Sequence, residues 1–272
     1  MKRLAILLFA LLPLTANAQS FPHPDYERVL VPVFFFGGGS GAAWWTNFDI
    51  VNTGPEFSLA TAVLQDEPAC PDLCGCDATD NVATDRALSI CQGFEDNAGI
   101  LLYVPRSVDR NEVFTYARVY DKSRAADRAG SQIPVVWEDD LFEGKMMLLD
   151  VKIGGGYRAT IRLFDVLQWD STYTLRFYDM ADLRRGHAQA IFTAQVDTFD
   201  ENQAGPFPAR PSFGVIGNVL AQYPQLAGHD SVAIEILPHE PLISPPAPTK
   251  RHYALASITN NTTQEVTVVS PR

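Results

Sequence analysis

Along most of the chain, apolar residues recur at every second position. In WWTNFDIVN, Trp44, Thr46, Phe48 and Ile50 fall on one side, and Trp45, Asn47, Asp49 and Val51 on the other. This alternation predicts a β-strand with one buried face. The same pattern places strands at 29–36, 45–52, 58–65, 99–105, 113–121 and 133–138. A second set follows at 146–153, 158–166, 172–180, 188–196, 212–217, 231–238, 252–260 and 264–270. Turn residues separate them, among them Asn52-Thr53-Gly54-Pro55, Gly154-Gly155-Gly156 and the stretch from Pro245 to Pro248. Only Gly217 to Leu226 reads as one or two helical turns. Many short strands with few helices predict an all-β fold: two antiparallel β-sandwich (Ig-like) domains in tandem.

Two stretches share a pattern. GILLYVPR, a loop and VFTYARVYD close the first half, and SVAIEILPHE, a Pro-rich loop and HYALASITNN close the second. This hint of an internal repeat puts the boundary near Leu141–Lys145. The chain begins MKRLAILLFALLPLTANAQS, with Lys2 and Arg3 before an apolar run and Ala16-Asn17-Ala18 as a small-residue cleavage site. That is the pattern of a secretory signal peptide cut after Ala18. The expected organisation is a signal peptide at 1–18, a first domain at 19–143 and a second at 144–272.

Charge narrows the partners. Losing Lys2 and Arg3 with the leader takes the formal charge from −11 to −13. Basic residues cluster only at Arg184-Arg185 and Lys250-Arg251. Nucleic acid needs clustered Lys and Arg, so it is not an expected partner. No stretch after the leader reaches the ~18 apolar residues of a membrane helix, so no membrane insertion is expected.

The cysteines carry the most suggestive spacing, Cys70, Cys74, Cys76 and Cys91 in CPDLCGC and beyond. A structural zinc site usually shows two close Cys pairs, and a redox site needs C-x-x-C; neither is present. An exported chain with an even count points to disulfides. Cys70–Cys76 with Cys74–Cys91 is one pairing; Cys70–Cys91, with the other two paired or free, is another. The polar span from Gln65 to Asn97 lacks strand periodicity and reads as a loop in need of a staple. One bridge would stabilise it by about 3 kcal/mol in the chain-entropy picture.

Other candidate chemistry is weaker. GGGSG at 37–41 lacks the last glycine of a nucleophile elbow around Ser40 and the lysine of a phosphate loop. It reads as a loop between strands. No two of His23, His187, His229, His239 and His252 lie within four residues, so no zinc motif forms, and each reads as a surface or loop residue. The acidic clusters are Asp77/Asp80/Asp85, Glu138/Asp139/Asp140 and Asp197/Asp200/Glu201/Asn202. Oxygen-rich loops suit calcium, and the last is the best candidate, but none has EF-hand spacing. No cofactor is expected. Trp45, beside Asn47 and Asp49, is the best candidate for a ring stacked on a sugar, with Trp137 and Trp169 behind it. Asn260-Asn261-Thr262 and Asn261-Thr262-Thr263 read as a turn between the last two strands.

VLVPVFF, the glycine-rich turn, WWTNFDIVN, GILLYVPR, SQIPVVWEDDL, YRATIRLFDV and YALASITNNTTQEVTVVSP together resemble a group of secreted bacterial tandem β-sandwich proteins. The resemblance covers most of the chain after the leader. It implies that fold and a secreted or periplasmic location; the group has no assigned activity, so no catalytic residue carries over. The expected function is a non-enzymatic structural, adhesive or ligand-binding role toward a protein or glycan. A carbohydrate-binding protein using Trp45 and loops is the first alternative. A hydrolase with a site built from distant loops is the second.

Overall fold

The computed structural model describes residues 25–33, 36–39, 42–65, 77–84, 86–89, 97–123, 130–166, 171–198, 212–239 and 251–272. The proposed leader, the four cysteines, Ser40, Asp85, Trp169, Asp200, Glu201 and Asn202 lie outside the described residues.

The first half forms β1 (Tyr26–Val31), β2 (Phe36–Gly39), β3 (Ala42–Asn52), β4 (Phe57–Gln65), β5 (Asp77–Val82), β6 (Arg86–Ser89), β7 (Asn97–Pro105), β8 (Val113–Asp121), β9 (Ser131–Ile133) and β10 (Val136–Trp137). One sheet runs β10-β1-β7-β4-β5. In the other, β3 pairs with β8 and β8 with β9, while β2 and β6 share the remaining edge of β3. The second half forms β11 (Met146–Lys152), β12 (Tyr157–Asp165), β13 (Ser171–Asp179), α1 (Met180–Arg184), β14 (Phe192–Thr198), β15 (Ser212–Ile216), α2 (Val219–Gln222), β16 (Ser231–Pro238), β17 (His252–Asn260) and β18 (Val266–Val269). Its sheets run β11-β16-β13-β14 and β15-β12-β17-β18. Among the described residues every ladder is antiparallel, and the fold is all-β. The two halves also match in order: β1-β7-β4-β5 corresponds to β11-β16-β13-β14, and β6-β3-β8-β9 to β15-β12-β17-β18.

Alternation decides which faces are buried. Phe48 and Ile50 of β3 turn inward and share a cluster with Leu59, Ile100 and Leu102 of the facing sheet. In the second half, Ala159, Ile161 and Leu163 of β12 share a second cluster with Tyr173, Leu175 and Phe177 of β13. Between β11 and β12 the glycine run turns the chain as its composition predicts. Gly155 (φ +63°) and Gly156 (φ +86°) take left-handed backbone that side chains resist.

At the end of β12 and the start of β17 the alternation stops. Phe164, Asp165, Val166, His252, Tyr253, Ala254 and Leu255 are buried whichever way they point. A second layer covers them. Phe164, Val166, Tyr253 and Leu255 join the first half's cluster, while Ala254 joins the second half's. The linking segment is tied into the same seam. The Phe142 N–H donates to the His252 carbonyl at 2.9 Å, and the Phe142 carbonyl accepts from the N–H groups of Arg251 and His252. The Ser131 hydroxyl also donates to the Val266 carbonyl across the halves.

Several expectations are corrected. The span 65–97 is not strandless, because it contains β5 and β6. β5, DATDNV, lacks periodicity because it is a polar edge strand, paired with β4 alone among the described residues. β6 completes the edge of β3. The strand expected at 188–196 begins later, at Phe192, after an exposed stretch that includes His187. The Gly217–Leu226 turn contains α2 and a 3-10 turn, with Asn218 capping α2 by accepting from the Ala221 N–H. α1 follows β13 directly and, at five residues, is too short to show a helical period. Asp179 starts it by accepting from the Asp182 N–H at 2.9 Å.

Candidate functional site on the outer face of β3 and β8

The residues of β3 that point away from the core are Trp45, Asn47, Asp49 and Val51. Register sets each opposite an outward residue of β8: Trp45 with Tyr120, Asn47 with Arg118, Asp49 with Tyr116 and Val51 with Phe114. Facing side chains on such a ladder lie within contact of one another. The result is a row in which aromatic rings alternate with polar groups. Phe114 is 58% exposed and Tyr116 43%, although large rings are usually covered. The Asn47 amide donates to the Asp49 carboxylate at 2.8 Å, fixing the polar pair beside Tyr116.

Two cations sit on this face. Lys122 Nζ lies 4.2 Å from the centre of the Trp45 ring, and the Arg118 guanidinium lies 5.3 Å from that of Tyr120. Trp45 is therefore half-buried under an ammonium group and not an open platform. Removing that contact with Lys122→Ala should cost about 0.5–1 kcal/mol in urea unfolding. The open rings are those of Phe114 and Tyr116. Sequence reasoning found Trp45 and missed them. The period of two in VFTYARVYD signalled alternation, but which face points outward follows only from the pairing with β3.

The seam holds a second constellation, with serine, histidine and aspartate together. Asp165, Ser171, Tyr173 and His252 are buried. The Ser171 hydroxyl donates to Asp165 Oδ2 at 2.5 Å. Arg251 Nε donates to His252 Nε2 at 2.9 Å, so that nitrogen is an acceptor. The neutral ring then carries its proton on Nδ1, which faces the Tyr173 hydroxyl at 2.8 Å, and that hydroxyl donates on to the Phe164 carbonyl at 3.4 Å. Burial, then the charge of Arg251, pulls the His252 pKa down to about 3. Burial pushes the Tyr173 phenol well above its ordinary range. Arg251 Nε lies 3.7 Å from Asp165. Arg28 Nη1 donates to the Val166 carbonyl at 3.0 Å, and the Arg28 N–H to Glu138.

A catalytic triad needs the serine hydrogen-bonded to the histidine. Here the serine bonds the aspartate, the histidine bonds a tyrosine, and all are sealed from solvent. The network is a seam lock. This corrects the reading of His252 as a surface or loop residue: its partners Asp165 and Tyr173 lie some eighty residues away along the chain.

The remaining candidates are placed as follows. Trp137 is buried, with the Arg110 guanidinium 4.9 Å from its ring centre, so it offers no stacking face. Glu138, Asp139 and Asp140 form a 3-10 turn rather than a calcium loop. Arg106 takes Glu138 at 2.6 Å, and Arg110 takes Asp140. Asp197, on β14, accepts from the Thr172 hydroxyl at 2.7 Å. Among the described residues no group of three or more His, Cys, Asp or Glu could hold a metal, and no helix is long and apolar enough to cross a membrane. Asn260 accepts from the Thr262 and Thr263 N–H groups, so the sequon stretch forms the β17–β18 turn.

Comparison with known protein families, with curated proteins and with solved structures gives no match in any of the three. The reading of function therefore rests on the chain's own surface chemistry.

Proposed function

We propose that the protein is an exported, non-enzymatic binding protein of two tandem Ig-like β-sandwiches, and that the outer face of β3 and β8 holds a protein partner. The observation that carries this is the pair of exposed rings, Phe114 and Tyr116, in one row with half-buried Arg118 and Tyr120. Aromatic residues and arginine dominate protein-binding hot spots because they offer large apolar area with few degrees of freedom to lose. The leader-like N-terminus supports export. The shared strand order of the halves supports the tandem Ig-like reading. The Ser171–His252–Asp165 arrangement does not favour the hydrolase alternative, since it lacks both the serine–histidine bond and access for a substrate.

A second reading is a polysaccharide stacked on Phe114 and Tyr116, whose rings carry no cation among the described residues. One experiment separates the two. Purified protein is sedimented with the envelope fraction of the producing cell. Binding should weaken about tenfold or more in the Phe114→Thr/Tyr116→Thr variant. Threonine suits a strand, so unfolding should shift by no more than about 0.5 kcal/mol per exposed site. Protease treatment of the envelope should abolish binding. Loss on periodate oxidation instead would establish the glycan reading, and undiminished binding by the double variant would exclude this face.

A further inference from the structure

A cavity of about 370 Å³ lies at the seam, between the outer face of the β12–β17 ladder and the first half. One wall is polar: Arg158, Thr160 and Arg162 of β12, with Ser257 and Thr259 of β17. They line it because their neighbours Ala159, Ile161, Ala256 and Ile258 turn into the second core. The opposite wall is apolar, with Val33, Trp44 and Val119. In a chain with 32 acidic residues against 21 basic ones, no Asp or Glu among the described residues lines this cavity.

Arg162 is the unusual member. Its Nη1 donates to the Ser257 hydroxyl at 3.0 Å, while its buried Nε meets no acceptor among the described residues. A guanidinium has five N–H donors and suits a planar oxyanion. Burial alone pulls its pKa down to about 10, with no carboxylate acting to hold it up. A largely buried cation with no anion beside it among the described residues is costly, which makes the cavity complementary to a ligand that supplies one. Its volume falls within the range of small-molecule sites.

We propose that this cavity binds a small organic anion, its carboxylate or phosphate head on Arg162 and Ser257 and its apolar body against Trp44, Val33 and Val119. Arg158 lines both this cavity and a wider one of about 750 Å³ beside the Gly154–Gly156 turn, so it stands at the mouth by which a ligand would enter.

The test uses the whole protein with benzoate and phenyl phosphate as probes and benzyl alcohol as the neutral control. At least one anion should raise the melting temperature saturably and change tryptophan fluorescence, and benzyl alcohol should do neither. Whichever anion binds more tightly identifies the head group. Arg162→Gln should weaken binding about tenfold or more, as loss of a charged partner does. Gly217→Asp covers the case in which that variant fails to fold. Gly217 lines the cavity and has open space around its Cβ direction, so the new carboxylate competes for the site and should also abolish binding. The proposal is overturned if neither anion binds below about 10 mM, if benzyl alcohol binds as well as they do, or if Gly217→Asp binds like the unmodified protein.

Discussion

Replacing Asp165 with alanine is expected to cost about 3–5 kcal/mol of stability, because it removes the carboxylate beside buried Arg251. Asp165 accepts from Ser171 at 2.5 Å and lies 3.7 Å from Arg251 Nε. It also acts through space on buried Arg28, whose pKa is lowered mainly by its own desolvation. Alanine would take the carboxylate away from Arg251 and from the Ser171 hydroxyl in an interior closed to water, while Arg28 keeps the larger influence of Glu138. Urea unfolding measures the loss, and a change under about 1 kcal/mol would refute the lock. A paired substitution sharpens the test. Asp165→Leu with Arg251→Met removes both charges, and should recover a large part of the loss, since apolar replacements of buried pairs are often tolerated. Failure to recover would show that shape, not charge balance, holds the seam.

Stability should also fall steeply in acid through His252. Its folded-state pKa of about 3 lies below the ordinary 6.5. Between these values the unfolded chain binds a proton that the folded chain refuses. The unfolded state therefore binds more protons, and stability rises with pH across this window. Its contribution is complete above pH 6.5 and is lost as pH falls toward 3. The slope approaches about 1.4 kcal/mol per pH unit, and the total is on the order of 5 kcal/mol. The cause lies in the hydrogen bonds. A second ring proton would sit on Nε2, where Arg251 already points a donor. Asp179, held low by His229 and by backbone N–H groups, weakens in acid in the same direction, so a control is needed. His252→Gln supplies it, because an amide oxygen can replace Nε2 as the acceptor for Arg251. That variant should show a shallower slope from pH 6.5 to 3 in urea unfolding; an unchanged slope would remove His252 from the account.

These two effects involve residues that the chain's pattern conceals. Periodicity marks β3, β7, β8, β12, β13, β16 and β17 because each has one apolar face, or is apolar throughout. It misses β5, a polar edge strand, and β6, a short one, and it runs β9 and β10 together as a single strand at 133–138. It finds Trp45 but not the exposure of Phe114 and Tyr116, because facing depends on register with β3, far earlier in the chain. The polar network is less legible still. Asp165, Ser171, Tyr173 and His252 come together only when β12, β13 and β17 pack at the seam, and no local spacing records that convergence. Arg162 looks from its sequence like an ordinary outward strand residue. Only the first half, closing over β12, turns that position into a cavity wall.

β17 also bears on the order of events during synthesis. Tyr253 and Leu255 fill the first core, while Ala254, Ala256 and Ile258 fill the second. The N-terminal half is thus made well before the strand that covers its inner seam. Until residues 252–258 emerge, Val29–Val31 and the other buried groups of the early strands have part of their apolar lining missing. The last tenth of the chain works as a clasp, and a polypeptide stopped short of it would be left with two unfinished interiors rather than one finished domain and a missing second.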